Sequence, residues 1–248
     1  MNYYIKSSWA QVQAELLRTF RNRRFIFFSI LMPAAFFFLF TAVVGGSDVP
    51  SYWSAYYLMS MTSYGVVGAS LVTFSQRISK ERSAGWIRLL RLSPLPSGSY
   101  VLSKIAAQGA INLILILTMF LLGRVGKSVH LSWSIWLEAG LWIWVGGFAF
   151  MALGLFLGSM KNSDVVQMIS MALYMSLSIV GGLWMPLSSL PSVLQNIAKF
   201  TPTYRMGEGP WALVEGRALD WTGIAILSMY IILFMVLSSY IMKRQEAI

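Results

Sequence analysis

Few side chains here have the makings of an active site, and none stands in a working arrangement. The segment Gly123-Arg124-Val125-Gly126-Lys127-Ser128 ends like a phosphate-binding loop. Such a loop needs a glycine five positions before its second glycine, so that backbone amides can wrap a phosphate; Leu121 stands there instead. Gly68-Ala69-Ser70 offers a serine inside an apolar stretch, but a serine nucleophile needs a base within reach. The single histidine, His130, belongs to a different, polar segment. There are no cysteines and the carboxylates are scattered, which leaves no thiolate or metal chemistry to expect.

The most informative stretch is Gln76 to Lys104, QRISKERSAGWIRLLRLSPLPSGSYVLSK. Six of its residues are basic (Arg77, Lys80, Arg82, Arg88, Arg91, Lys104), and Glu81 is its sole acid. A short basic connection beside apolar runs stays in the cytoplasm, because Lys and Arg resist translocation. Within it, Trp86 to Leu92 reads as a short helix stopped at Ser93-Pro94, since proline removes a donor and pushes its predecessor out of helical geometry. Two readings stand: topogenic charge, or a docking surface whose apolar anchors are Trp86, Leu89 and Leu90, with Arg82, Arg88 and Arg91 at the rim. Gly85 would supply the bend before it.

The elements that position this stretch follow from composition. The chain is 57% hydrophobic and 11% charged, with a mean hydropathy of +0.65. A soluble domain carries about a quarter charged residues, so this is an all-α integral membrane protein. The net charge of +10 does not imply nucleic acid, since the basic residues flank apolar runs. Six spans are expected: Phe25 to Val44, Ser54 to Ser75, Ile105 to Gly123, Ile135 to Met160, Val165 to Leu187 and Trp221 to Met242. With both termini in the cytosol, fourteen basic residues fall inside and five outside. The first apolar run is too long for a signal-peptide core, and no cleaved leader is expected.

Two segments break the span pattern. Over residues 3–24, Ile5, Trp9, Val12, Leu16 and Phe20 share one helical face, which predicts an interfacial helix with Trp9 anchored among the lipids and arginines meeting anionic headgroups. Residues 186–216 carry Pro186, Pro191, Pro202 and Pro210 around apolar stretches too short to cross, as in a re-entrant or interfacial region on the outer face.

The spans themselves offer a mildly polar wall. Gln167, Ser170, Tyr174 and Ser178 fall at steps of three, four and four, beside Met168, Met171 and Met175. That stripe either lines a route for an amphipathic molecule or hydrogen-bonds between helices. Gln108 and Asn112 admit the same two readings. Gly154 and Gly158 allow close helix approach, within the chain or between copies.

Taken in order along the whole chain, three elements resemble the type-two ATP-binding-cassette transporter permeases. They are the amphipathic segment running into the first span, the run Glu81-Arg82-Ser83-Ala84-Gly85-Trp86 followed by a short helix and Ser93-Pro94-Leu95, and the proline-rich stretch before the last span. Ala84 departs from the threonine frequent in that family. The resemblance implies a single transmembrane domain over residues 1–248 in the plasma membrane, with residues 76–104 as the coupling loop. It further implies an ATPase subunit that receives Glu81, Arg82, Gly85, Trp86, Arg88, Leu89, Leu90 and Arg91 and that itself holds ATP and Mg. A second permease copy completes the machine, a homodimer being favoured over a related permease. The chain would bind no cofactor and would catalyse nothing, exporting an amphipathic or drug-like substrate. The alternatives are an ion-coupled carrier or a non-transport scaffold or sensor. An ion-coupled carrier would bury a titratable residue in its pathway, and no intramembrane carboxylate pair stands out.

Overall fold

A computed structural model of the chain describes residues 2–43, 50–86, 97–160 and 162–246, and is helical throughout, with no strand among the described residues. In chain order the elements are α1 (Asn2–Arg21), α2 (Arg23–Val43), α3 (Trp53–Val67), a π turn (Gly68–Thr73) and α4 (Phe74–Ser83). After these come α5 (Ser97–Gly126), α6 (Trp133–Gly158), α7 (Ser163–Val180), α8 (Ser192–Ala198), α9 (Pro202–Val214) and α10 (Thr222–Glu246).

Among the described residues five helices are long and apolar enough to cross a membrane: Trp53–Ser83, Gly98–Gly126, Trp133–Gly158, Ser163–Val180 and Thr222–Tyr240. The expected first span falls on α2, whose described apolar part, Ser29–Val43, is shorter than these. The second expected span lies within a longer helix. α3, the π turn and α4 form one unbroken rod of 31 residues, about 46 Å at 1.5 Å per residue. Residues 76–83 and 97–104 are therefore helical ends rather than loop. The expected fifth span is too long, because α7 stops at Val180. Gly182 takes φ +78° there, and Leu183 N–H reaches back to the Ser178 carbonyl at 3.0 Å, a left-handed helix stop.

The central rod and the last helix differ sharply in burial. The rod Trp53–Ser83 is the least apolar of the five, yet 83% of its most apolar window is buried; for Thr222–Tyr240 that share is 17%. A helix facing lipid must be apolar outside, whereas one wrapped by protein can carry hydroxyls if each finds a partner. Ser60, Thr62 and Ser75 find theirs on their own helix, at the carbonyls of Tyr56, Leu58 and Val72, while the buried Ser63 and Ser79 hydroxyls have none among the described residues.

α6 lies against this rod because it lacks side chains where they meet. A Cβ on Gly154 would strike the Ser70 carbonyl, and one on Gly158 would lie 2.7 Å from Ile78 Cβ. The small-residue pair thus serves packing within the chain.

Within residues 186–216 the chain makes a short 3-10 turn (Leu187–Ser189), α8 and α9. Thr201 caps α9 by accepting from Tyr204 N–H, and Pro202 occupies its first turn, where no amide is needed. α9 packs on α3 and α6. Its Trp211 stacks on Tyr56 with ring centroids 5.2 Å apart and donates to Ser60 Oγ at 2.8 Å.

Candidate functional site

At one end of the rod, three helices bring charged side chains together inside the protein. α1 supplies Glu15 and Arg18, α4 supplies Arg77 and Glu81, and α5 supplies Tyr100 and Lys104. Lys104 Nζ sits 2.7 Å from Glu15 and 2.6 Å from Glu81, with its side chain fully buried. Arg77 reaches Glu15 at 3.0 Å and Arg18 reaches Glu81 at 2.8 Å. The remaining Glu81 oxygen accepts from the Tyr100 hydroxyl at 2.8 Å. Two carboxylates thus meet three cations. A buried charge is tolerable only when paired and hydrogen-bonded, and Lys104 meets that condition with two carboxylates at once. Ser8 and Ser99 add a 2.7 Å contact between α1 and α5.

This arrangement leaves Trp9 and Phe20 of the expected apolar face of α1 exposed, and departs from it at Val12, which is buried. Val12, Glu15 and Thr19 are buried against the protein, while Trp9, Leu17 and Phe20 are exposed. Trp9, Leu17 and Phe20 are left for something other than this chain's core, and the side holding Val12 and Glu15 does the packing.

Glu81 was singled out by the sequence, but its partners were not. Arg77 and Lys104 read as topogenic charges, and Glu15 carried no pattern. One signal was available: Glu15 is the lone acid of a basic helix, where an unpaired acid is out of place. Beyond the cluster, Gly85 ends α4 at φ +75°, its N–H bonded to the Arg82 carbonyl, and Trp86 projects 42% exposed. Arg88, Leu89, Leu90 and Arg91 lie outside the described residues.

The polar stripe of α7 divides. Ser170, Tyr174 and Ser178 are buried, whereas Gln167 is exposed beside Met168 and Met171. Tyr174 stacks on Tyr64 at 4.6 Å and donates to the Tyr64 carbonyl at 3.3 Å. Ser170 bonds back to the Gln167 carbonyl at 3.1 Å. Gln108 donates to Asn112 at 3.1 Å, and Asn112 donates to Ser70 Oγ at 2.8 Å, so both act between or along helices here.

At the other end of the rod lies a cavity of about 330 Å³ bordered by Trp53, Tyr56, Pro186, Tyr204, Trp211 and Arg217, among others. Glu215 accepts from Arg217 at 2.7 Å, and that bond holds the Arg217 guanidinium above its ordinary pKa.

Comparison with known proteins agrees with this frame. A family model described as ABC-2 family transporter protein matches residues 47–240. The Bacillus subtilis (strain 168) protein named "Putative transport permease YvfS" is 41% identical over 237 residues, which is 95% of this chain and 96% of that protein. A multi-pass bundle of apolar helices, matched along nearly its full length to a transport permease, belongs to the ABC-2 family of transporter proteins.

Proposed function

We propose that the chain is the membrane subunit of an ATP-driven exporter in the plasma membrane, paired with a separate ATPase that holds ATP and Mg. α2 would be the first of six spans and both termini would be cytosolic, which places the charged cluster on the inner side. The observation that carries this reading is the placement of the basic segment 76–104. It leaves the bundle along α4 and returns along α5, and both helices are fastened to α1 by Lys104, Glu81 and Glu15. An ATPase that receives Trp86 and the residues after it would push on a rigid foot. Residues 186–216 would form the re-entrant region of the outer face.

Two copies would complete the machine, since a closed two-fold pairing is the commonest arrangement. The exposed side of α7, with Gln167, Met168 and Met171, would then face the second copy or the cargo. An uncharged, methionine-rich wall suits an amphipathic or drug-like molecule better than an ion, whose desolvation needs compensating charge.

The deciding experiment is affinity purification from native membranes. A soluble ATPase subunit with a Walker lysine should copurify, and crosslinking should trap a pair of this chain. ATP hydrolysis by the purified chain alone would overturn the division of labour, and an obligate pairing with a different permease would reject the homodimer.

A further inference from the structure

A second cavity lies on the flank between α5 and α6, away from the charged cluster. It is a groove of about 520 Å³. From α5 it is walled by Leu113, Leu117 and Leu121, one turn apart, and from α6 by Leu137 and Leu141. All five leucines are at least 46% exposed. Its depth depends on Gly140, where a Cβ would lie 3.3 Å from the Phe120 ring.

Length and ends say what fits. From Leu113 to Arg124 the groove follows α5 for about 16 Å, close to one leaflet of a hydrocarbon core about 30 Å thick. Its inner end is closed by Trp144, which crosses to α5 and donates to the Gly109 carbonyl at 2.9 Å. Its outer end is marked by Arg124, whose guanidinium lies 5.4 Å from the Trp133 ring, with Trp133 78% exposed. Tryptophan and arginine are the residues expected at headgroup depth. Among the described residues no acid pairs with Arg124, and Glu138 does not line the groove. Lys127 follows one turn later. A helix from a second copy would run the full membrane thickness, and the Trp144 floor stops that halfway.

We propose that the groove between α5 and α6 holds one acyl chain of an anionic glycerophospholipid, with its headgroup phosphate on Arg124. The proposal is independent of the transport reading, because the groove shares no residue with the charged cluster or the α7 stripe.

Native mass spectrometry of the detergent-purified protein tests it, with dioleoylphosphatidylglycerol and dioleoylphosphatidylcholine as probes. Phosphatidylglycerol should be retained under activation that strips phosphatidylcholine. Arg124→Gln, an exposed change, should cut that retention about fivefold, while Lys199→Gln should leave it unaltered. Gly140→Leu should abolish retention by filling the groove. Equal retention by Arg124→Gln and the parent would overturn the proposal, as would equal retention of the two lipids. A Gly140→Leu protein with an altered number of subunits would assign the groove to a second copy instead.

Discussion

Lys104 of α5 donates to Glu15 of α1 across 2.7 Å, with the lysine fully buried and the glutamate 5% exposed. The pair binds the N-terminal helix to the bundle at the foot of the central rod. Its position matters more than its strength, because a buried ion pair can be close to neutral against an apolar replacement.

Removing Lys104 takes a buried donor from Glu15 and Glu81 and leaves each carboxylate with one close cation, Arg77 and Arg18. Lys104→Met should destabilise the fold by about 1.5–3 kcal/mol, read as a fall in melting temperature in detergent. The double change Lys104→Met with Glu15→Gln should recover part of the loss. Additive losses would mean that the two residues do not interact.

Trp86→Ala should leave membrane insertion and melting intact while weakening ATPase copurification, because Trp86 projects from the end of α4 and supports no core. Wild-type complex formation by this variant would reduce the segment to topogenic charge.

The bond chain from Gln108 through Asn112 to Ser70 gives a third prediction. Asn112→Leu should cost about 0.6–2 kcal/mol, leaving Ser70 without its donor and pressing on Gly147, whose Cβ would lie 3.0 Å from Asn112 Nδ2. Asn112→Asp should cost more, since it buries a carboxylate that no cation approaches in the described contacts. Equal melting of the two variants would contradict the buried chain.

For cargo, the α7 stripe separates two readings by residue. Gln167→Leu, an exposed change, should alter efflux without altering melting or ATPase copurification. Tyr174→Leu should lower the melting temperature, because it removes the stacked pair with Tyr64. Unchanged efflux in Gln167→Leu would move the route to another face of the bundle.

The membrane class and the order of helices were legible in the sequence because long apolar runs have few other solutions. Helix ends were less legible. The rod passes through Ser75 to Ser83 without a break because Ile78, Ser79 and Glu81 are buried by neighbouring helices, which no local pattern announces. α7 ends early at Gly181-Gly182, a pair lying inside an apolar run that reads as a span. The charged cluster was legible only as separate parts. Its residues come from three distant segments, and a lysine's role as a buried partner depends on which carboxylates the fold brings to it. Leu89, Leu90, Arg88 and Arg91 remain expectations from the sequence.

The π turn at Gly68–Thr73 sets the rotational phase of everything beyond it. Its bonds run one residue wider than those of an α-helix, so each side chain of α4 is turned about 100° from where an uninterrupted α-helix would carry it. Arg77 and Glu81 meet Glu15 and Lys104 in that phase alone. Converting Gly68–Thr73 to α-helix without shortening the chain would therefore unfasten a foot that contains none of the altered atoms, by swinging both charges off their partners, whereas deleting one residue along with that change would restore the phase.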